Sequence, residues 1–119
     1  MIYRVTNSTR NTTLGEEISL ANSSETRRTG LLAQDGLSEG SGLWIYPCEA
    51  IHTFFMRFAI DVIFVDRQSR VRKIAKKLRP WRMSMCLVAS SVLELPAGTA
   101  ESTGTVVGDE LVFERNKVS

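Results

Sequence analysis

Residues 43 to 66 constrain this chain more than any other stretch. They hold three apolar segments: Leu43-Trp44-Ile45-Tyr46-Pro47-Cys48, Ile51-His52-Thr53-Phe54-Phe55-Met56-Arg57-Phe58 and Ile60-Asp61-Val62-Ile63-Phe64-Val65-Asp66. Four of the five Phe and the only His fall here. Near-continuous apolar runs rich in β-branched and aromatic residues read as strands buried on both faces. Polar residues enter the runs at His52-Thr53, Arg57 and Asp61. Either they are satisfied pairs inside a core, or they line a site that the core holds rigid.

The rest of the composition sets bounds on the fold. A chain of 119 residues is expected to form one domain, residues 1–119, with a core that needs no staples. With 43% hydrophobic and 24% charged residues and a net charge of +2, disorder is excluded. No apolar run approaches the ~20 residues of a membrane-spanning helix. The polar, charge-broken residues 1 to 30 do not read as a signal peptide, so a cytoplasmic location and reduced thiols at Cys48 and Cys86 are expected.

Taken in order, Met1 to Thr6 reads as a strand at a sheet edge, and Leu14 to Leu20 as a second strand with Ile18 and Leu20 on one face. Ser24 to Leu31 reads as a helix, with Ser or Thr capping its first amides and Glu25 at the positive end of its dipole. Gln34 to Gly42, with three Gly and two Ser, is a loop. Pro47 should end the first central strand, since proline cannot donate to a ladder. In Phe54 to Phe58, alternation sets Phe54, Met56 and Phe58 against Phe55 and Arg57. Val71, Ile74 and Leu78 sit at helical spacing, which predicts an amphipathic helix; a strand after the Arg67 to Arg70 turn is the competing assignment. Ser91 to Leu95 alternates as a half-buried strand stopped by Pro96, a helical turn is expected after Pro96, and Leu111 to Phe113 is a last strand.

Four groups of residues could carry chemistry. Cys48 and His52, with three residues between them, offer a thiol beside an imidazole, the minimum for a thiolate nucleophile. With Cys86 they would make a three-ligand zinc site, although the paired motifs of structural zinc sites are missing. Arg57 and Asp61 stand in the most apolar part of the chain, where a charge is tolerated only when paired. They read either as an internal ion pair or, for Arg57, as an anchor for a carboxylate or phosphate. Residues 67 to 82 hold eight Lys or Arg and no acid, with Trp81 among them. Such a run can bind nucleic acid, but a net charge of +2 is weak for that purpose, and a solvated face or a protected edge strand is the commoner meaning.

The ordered segments Gly30-Leu31-Leu32, Gly42 to Cys48, Ile51 to Asp66, Pro80-Trp81-Arg82, Val92 to Gly98 and Gly108-Asp109 resemble the signatures of domain-of-unknown-function family 192. Ala59 departs from the family pattern Met-Arg-Phe-Pro-Ile-Asp. The resemblance implies a small, mainly β domain found in bacteria and archaea, without an assigned activity, and it favours a strand over Val71 to Lys76. The expected fold is therefore α+β: a curved, mainly antiparallel sheet with barrel-like character and one or two short helices. The expected function is a non-enzymatic binding domain for a small anionic ligand or a protein partner, with no cofactor. Its site is expected where Cys48, His52, Arg57 and Asp61 meet Trp81 and Arg82. A thiol- or metal-dependent enzyme using Cys48 and His52, and nucleic-acid binding through residues 67 to 82, are the alternatives.

Overall fold

The computed structural model describes residues 1–22 and 35–116. Nine strands are described: β1 (Ile2–Asn7), β2 (Thr12–Ala21), β3 (Ser41–Ile45), β4 (Ala50–His52), β5 (Ile60–Val65), β6 (Val71–Leu78), β7 (Met83–Met85), β8 (Ser91–Pro96) and β9 (Leu111–Arg115). A single turn of helix, α1 (Thr99–Ser102), lies between β8 and β9. The described residues are thus essentially all β, with less helix than the expected α+β class. The helix expected over Ser24 to Leu31 lies outside the described residues. No described helix is long and apolar enough to cross a membrane.

Seven strands form one curled sheet in the order β6-β5-β8-β3-β2-β1-β9. Within it β2 and β3 run parallel and the other neighbours antiparallel. The two end strands approach each other at one corner, where Arg70 bridges to Glu110, Val71 N–H donates to the Asp109 carbonyl at 2.8 Å and Gly108 N–H to the Val71 carbonyl at 2.8 Å. The sheet is therefore a half-barrel pinned at that corner. β1 lies between β2 and β9 rather than at the expected edge.

Every residue of β5 is buried, as are Ser91 to Leu95 of β8, because both faces of the sheet are covered. The concave face packs Val5, Ile18, Ile63, Val65, Leu93 and Leu95 inside the half-barrel. The convex face packs Ile45, Ile60, Val62, Phe64 and Val92 under Ile51 and Met56. Ile51 belongs to a two-stranded ribbon, β4 paired with β7, that lies over this outer layer. Gly42 allows β3 to come close to β8: a Cβ there would stand 2.6 Å from the Glu94 carbonyl oxygen.

Two expectations are corrected. Val71 to Leu78 is a strand, not a helix. Between Phe64↔Lys73 and Val65↔Val71 the register slips by one residue, and again between Ile60↔Leu78 and Val62↔Ala75. Each extra residue is a bulge, so residues three apart share a face, as Val71 and Ile74 do. Leu78 falls on the other face, so the helical spacing mixed residues of both faces of a bulged strand. Phe54 to Phe58 is not a strand either. Met56 N–H donates to the Thr53 carbonyl at 3.1 Å, turning the chain, and Phe55 stands 70% exposed.

Candidate functional site

The six residues proposed from sequence do not converge on one point. Asp61 is fully buried and serves the backbone. Its Oδ1 accepts the Lys77 N–H at 2.8 Å, and its Oδ2 accepts those of Gly98 at 3.2 Å and Ala100 at 2.8 Å. It thereby ties the second bulge of β6 to the start of α1. Arg57 does not pair with it; Arg57 is exposed and forms an ion pair with Asp35. The internal Arg57–Asp61 ion pair is corrected by this placement, since backbone amides satisfy the Asp61 carboxylate.

Cys48 precedes β4 and His52 is the last residue of that strand. The Cys48 thiol donates to the Ala50 carbonyl at 3.1 Å, while His52 Nδ1 accepts the Phe54 N–H at 3.2 Å. Cys86 is tied to the strand through its N–H, which donates to the Glu49 carbonyl at 2.8 Å. Among the described residues no three His, Cys, Asp or Glu side chains gather to hold a metal ion. Cys48 instead borders an open groove of about 620 Å3 whose walls include Tyr46, Asp66, Arg72 and Leu87.

What the structure does assemble is an aromatic platform. The His52 and Phe54 rings stack at 4.9 Å, Phe54 and Trp81 at 5.7 Å, and Phe55 meets Trp81 edge-on at 4.6 Å. Phe55 and Trp81 both have left-handed backbones, with φ of 66° and 67°. Bulky residues rarely take that conformation, and it costs ~1–2 kcal/mol each.

Thr53 holds the two strained loops together. It is fully buried. Its hydroxyl donates to the Arg79 carbonyl at 2.7 Å and accepts the Arg82 N–H at 2.9 Å. Its N–H donates to the Arg82 carbonyl at 2.8 Å, and its carbonyl accepts the Trp81 N–H at 3.0 Å. Trp81 is nevertheless 56% exposed. Arg82 reaches back to the Trp81 carbonyl at 3.3 Å, which puts a cation beside the rings, while Arg57, two residues beyond Phe55 in sequence, pairs with Asp35.

One residue that sequence reasoning passed over is Glu94. It is only 4% exposed, on the convex face of β8 opposite Leu43 and Val62. Among the described residues no donor or cation reaches its carboxylate, and burial pushes its pKa up to about 7. The lone acid in Val92-Leu93-Glu94-Leu95-Pro96 was the available signal, but alternation alone reads it as solvent-facing. Asp109 is the opposite case. Buried at the pinned corner, it accepts Asn7 Nδ2 at 2.9 Å, Arg10 Nε at 3.0 Å and the Val106 N–H at 3.0 Å. Those donors outweigh desolvation and hold it below the usual carboxylate range.

The profile of domain-of-unknown-function family 192, described as "Uncharacterized ACR", matches residues 4–113. The chain belongs to this family. A UPF0127 protein of Pyrococcus horikoshii is 32% identical over 113 residues, covering 90% of this chain and 96% of its own length. A UPF0127 protein of Thermococcus sibiricus is 36% identical over 78 residues, covering 60% of this chain and 50% of its own length. A crystal structure of a protein of unknown function from Novosphingobium aromaticivorans shares the fold, with a TM-score of 0.79 at 23% identity over 92% of this chain and 82% of that one. A Sinorhizobium meliloti structure does so with a TM-score of 0.81 at 21% identity over 93% of this chain and 91% of that one. The family is uncharacterised, and these matches give this family-192 chain a fold without an activity. The relatives named are archaeal and the two structures bacterial, so the expected bacterial source is not established.

Proposed function

We propose that this is a non-enzymatic binding domain whose recognition surface is the His52, Phe54, Phe55 and Trp81 platform, with Arg57 and Arg82 as anion anchors. The observation that carries the reading is the presentation of Phe55 and Trp81. Two large aromatic side chains sit in a costly backbone conformation and still face solvent. Most of each side chain's surface stays in water despite that strain, and strain of this kind collects at binding sites. An aromatic surface bordered by guanidinium groups suits a partner group with an apolar body and a carboxylate or phosphate head. The thiol-enzyme reading has less support, because the Cys48 thiol and the His52 Nδ1 are each committed to local backbone groups.

The test is a titration of labelled protein with inorganic phosphate, phosphomonoesters and dicarboxylates, followed by nuclear magnetic resonance. Saturable shifts confined to residues 52–57 and 79–82, weakened in Arg82→Ala and Arg57→Ala, are expected. Shifts that never saturate, or that fall elsewhere on the fold, overturn the reading.

A further inference from the structure

The platform does not end at Trp81. From there the chain runs Trp81-Arg82-Met83-Ser84-Met85-Cys86-Leu87. Trp81, Met83, Met85 and Leu87 occupy every second position and are 56%, 72%, 53% and 73% exposed. The residues between them are Arg82, Ser84 and Cys86, and Ser84 lies opposite buried Ile51. The alternation of this ribbon is therefore inverted: its polar Ser84 turns toward the protein and its large apolar side chains turn toward water. Met83 and Met85 share the outward face of β7, and exposed Trp81 and Leu87 flank the strand at its two ends. Across the ribbon, His52 stands opposite Met83 and Ala50 opposite Met85, both exposed, so no charged side chain of β4 interrupts the stripe.

Basic groups border this face. Lys73 of neighbouring β6 reaches over to the Met85 carbonyl at 2.9 Å, and Arg82 lies within the stripe. Between Asp66 and Glu94 the sequence holds eight Lys or Arg and no acid. Of the nearby acids, Asp66 pairs with Arg72 and Asp35 with Arg57, while Glu49 is exposed beside Cys86 at one end of the ribbon. Among the described residues Lys73, Lys76, Lys77, Arg79 and Arg82 have no acidic partner.

We infer that this face docks on an anionic membrane surface, with Trp81, Met83, Met85 and Leu87 entering the headgroup boundary and the bordering Lys and Arg meeting lipid phosphates. The inference rests on the anion-binding reading above and names the bilayer as the source of the anion. Exposed aromatic and aliphatic side chains beside basic ones are the chemistry of interfacial binding. What selects an anionic bilayer is charge: Lys73 and Arg82 lie beside these side chains without an acidic partner among the described residues. The outward side chains of β7 are all thioethers, and its strand pairing with β4 already engages backbone groups there.

The test is co-sedimentation of the full chain with vesicles of phosphatidylcholine alone and of phosphatidylcholine with phosphatidylglycerol. Trp81 emission and its quenching by brominated lipid are read in parallel. Retention on anionic vesicles only, falling with salt, with a blue shift and quenching that vanish in Trp81→Phe, is expected. Each of Met83→Ser, Met85→Ser and Leu87→Ser should weaken partitioning about tenfold, and Lys73→Ala about fivefold. Because these side chains are exposed, the serine variants should keep the wild-type fold, checked by circular dichroism; the quenching arm uses the wild type and does not depend on them.

Soluble phosphate shifting residues 79–82 without vesicle retention would overturn the membrane source and leave the anion site standing. Retention unchanged in the three serine variants, without quenching, would also overturn the inference. So would an acidic peptide that protects the three side chains when anionic vesicles do not.

Discussion

Replacing Glu94 by Gln should remove most of the pH dependence of stability between pH 5 and 8. Burial raises the carboxyl from its ordinary 4.5 to about 7, with no described partner to offset it. A group whose folded pKa lies above its unfolded value lets the folded state bind more protons between the two values, so stability falls as pH rises through that window. The stability is fully present below pH 4.5 and lost above 7. A shift of this size corresponds to about 3 kcal/mol at 1.36 kcal/mol per unit, an order-of-magnitude figure. Urea denaturation of wild type and Glu94→Gln at pH 5 and pH 8 isolates the effect. Asp66 and Asp109 are held below the usual carboxylate range, so their contributions are lost only as pH falls below about 4. His52 is common to both proteins and cancels in the difference. Wild type should lose on the order of 3 kcal/mol more than Glu94→Gln between the two pH values. Parallel pH dependence in the two proteins would mean that the carboxylate is solvated or paired, and would refute the reasoning.

Other changes test the frame around the site. Thr53→Val keeps the volume but strips the hydroxyl from Arg79 and Arg82; it should cost about 1–3 kcal/mol by denaturation and broaden the amide resonances of residues 79–82. Asp61→Ala leaves the amides of Lys77, Gly98 and Ala100 without their acceptor, and should lower the melting temperature more than Arg57→Ala, whose ion pair with Asp35 is exposed. Gly42→Ala forces β3 away from β8 and should cost roughly 1–3 kcal/mol, whereas Gly36→Ala, with open space around it, should be silent in the same melt. Arg10→Ala removes a donor to Asp109, so its destabilisation, measured by denaturation, should shrink as pH falls and the carboxyl protonates in both states.

The strands were legible where burial and period agreed. Ile60 to Val65 has no polar face to confuse the reading apart from Asp61, and it is the most buried strand of the sheet. Where tertiary contacts rewrote the period, the sequence misled. In β6 a bulge puts Val71 and Ile74 on one face while Leu78 packs on the other, so residues of both faces fell by coincidence at helical spacing. Glu94 alternates with Leu93 and Leu95 like a surface residue, and only the layers packed on both sides of β8 bury it. The candidate site was half legible. His52, Arg57, Trp81 and Arg82 belong to the two loops that Thr53 joins, but Asp61 faces the other side of the sheet and Cys48 borders a different groove. Thr53 itself gave no signal, since a buried threonine hub depends on loops that meet only in three dimensions.

The Thr53 hub explains why the platform survives folding at all. Left-handed backbone at Phe55 and Trp81 costs ~1–2 kcal/mol per residue, and more than half of each side chain stays in solvent. The hydroxyl supplies two hydrogen bonds at a net of ~1 kcal/mol each, and the Thr53 amide and carbonyl supply others within a sealed site. Gains and costs are of the same size, so the loops lie close to balance and their conformation depends on Thr53 more than on the rings. A purely structural origin for the strained loops would put the aromatics inward, where ~25 cal/mol per Å2 of buried apolar surface would more than cover the strain. Outward rings held by an inward threonine make the exposed surface depend on a residue that lies beneath it.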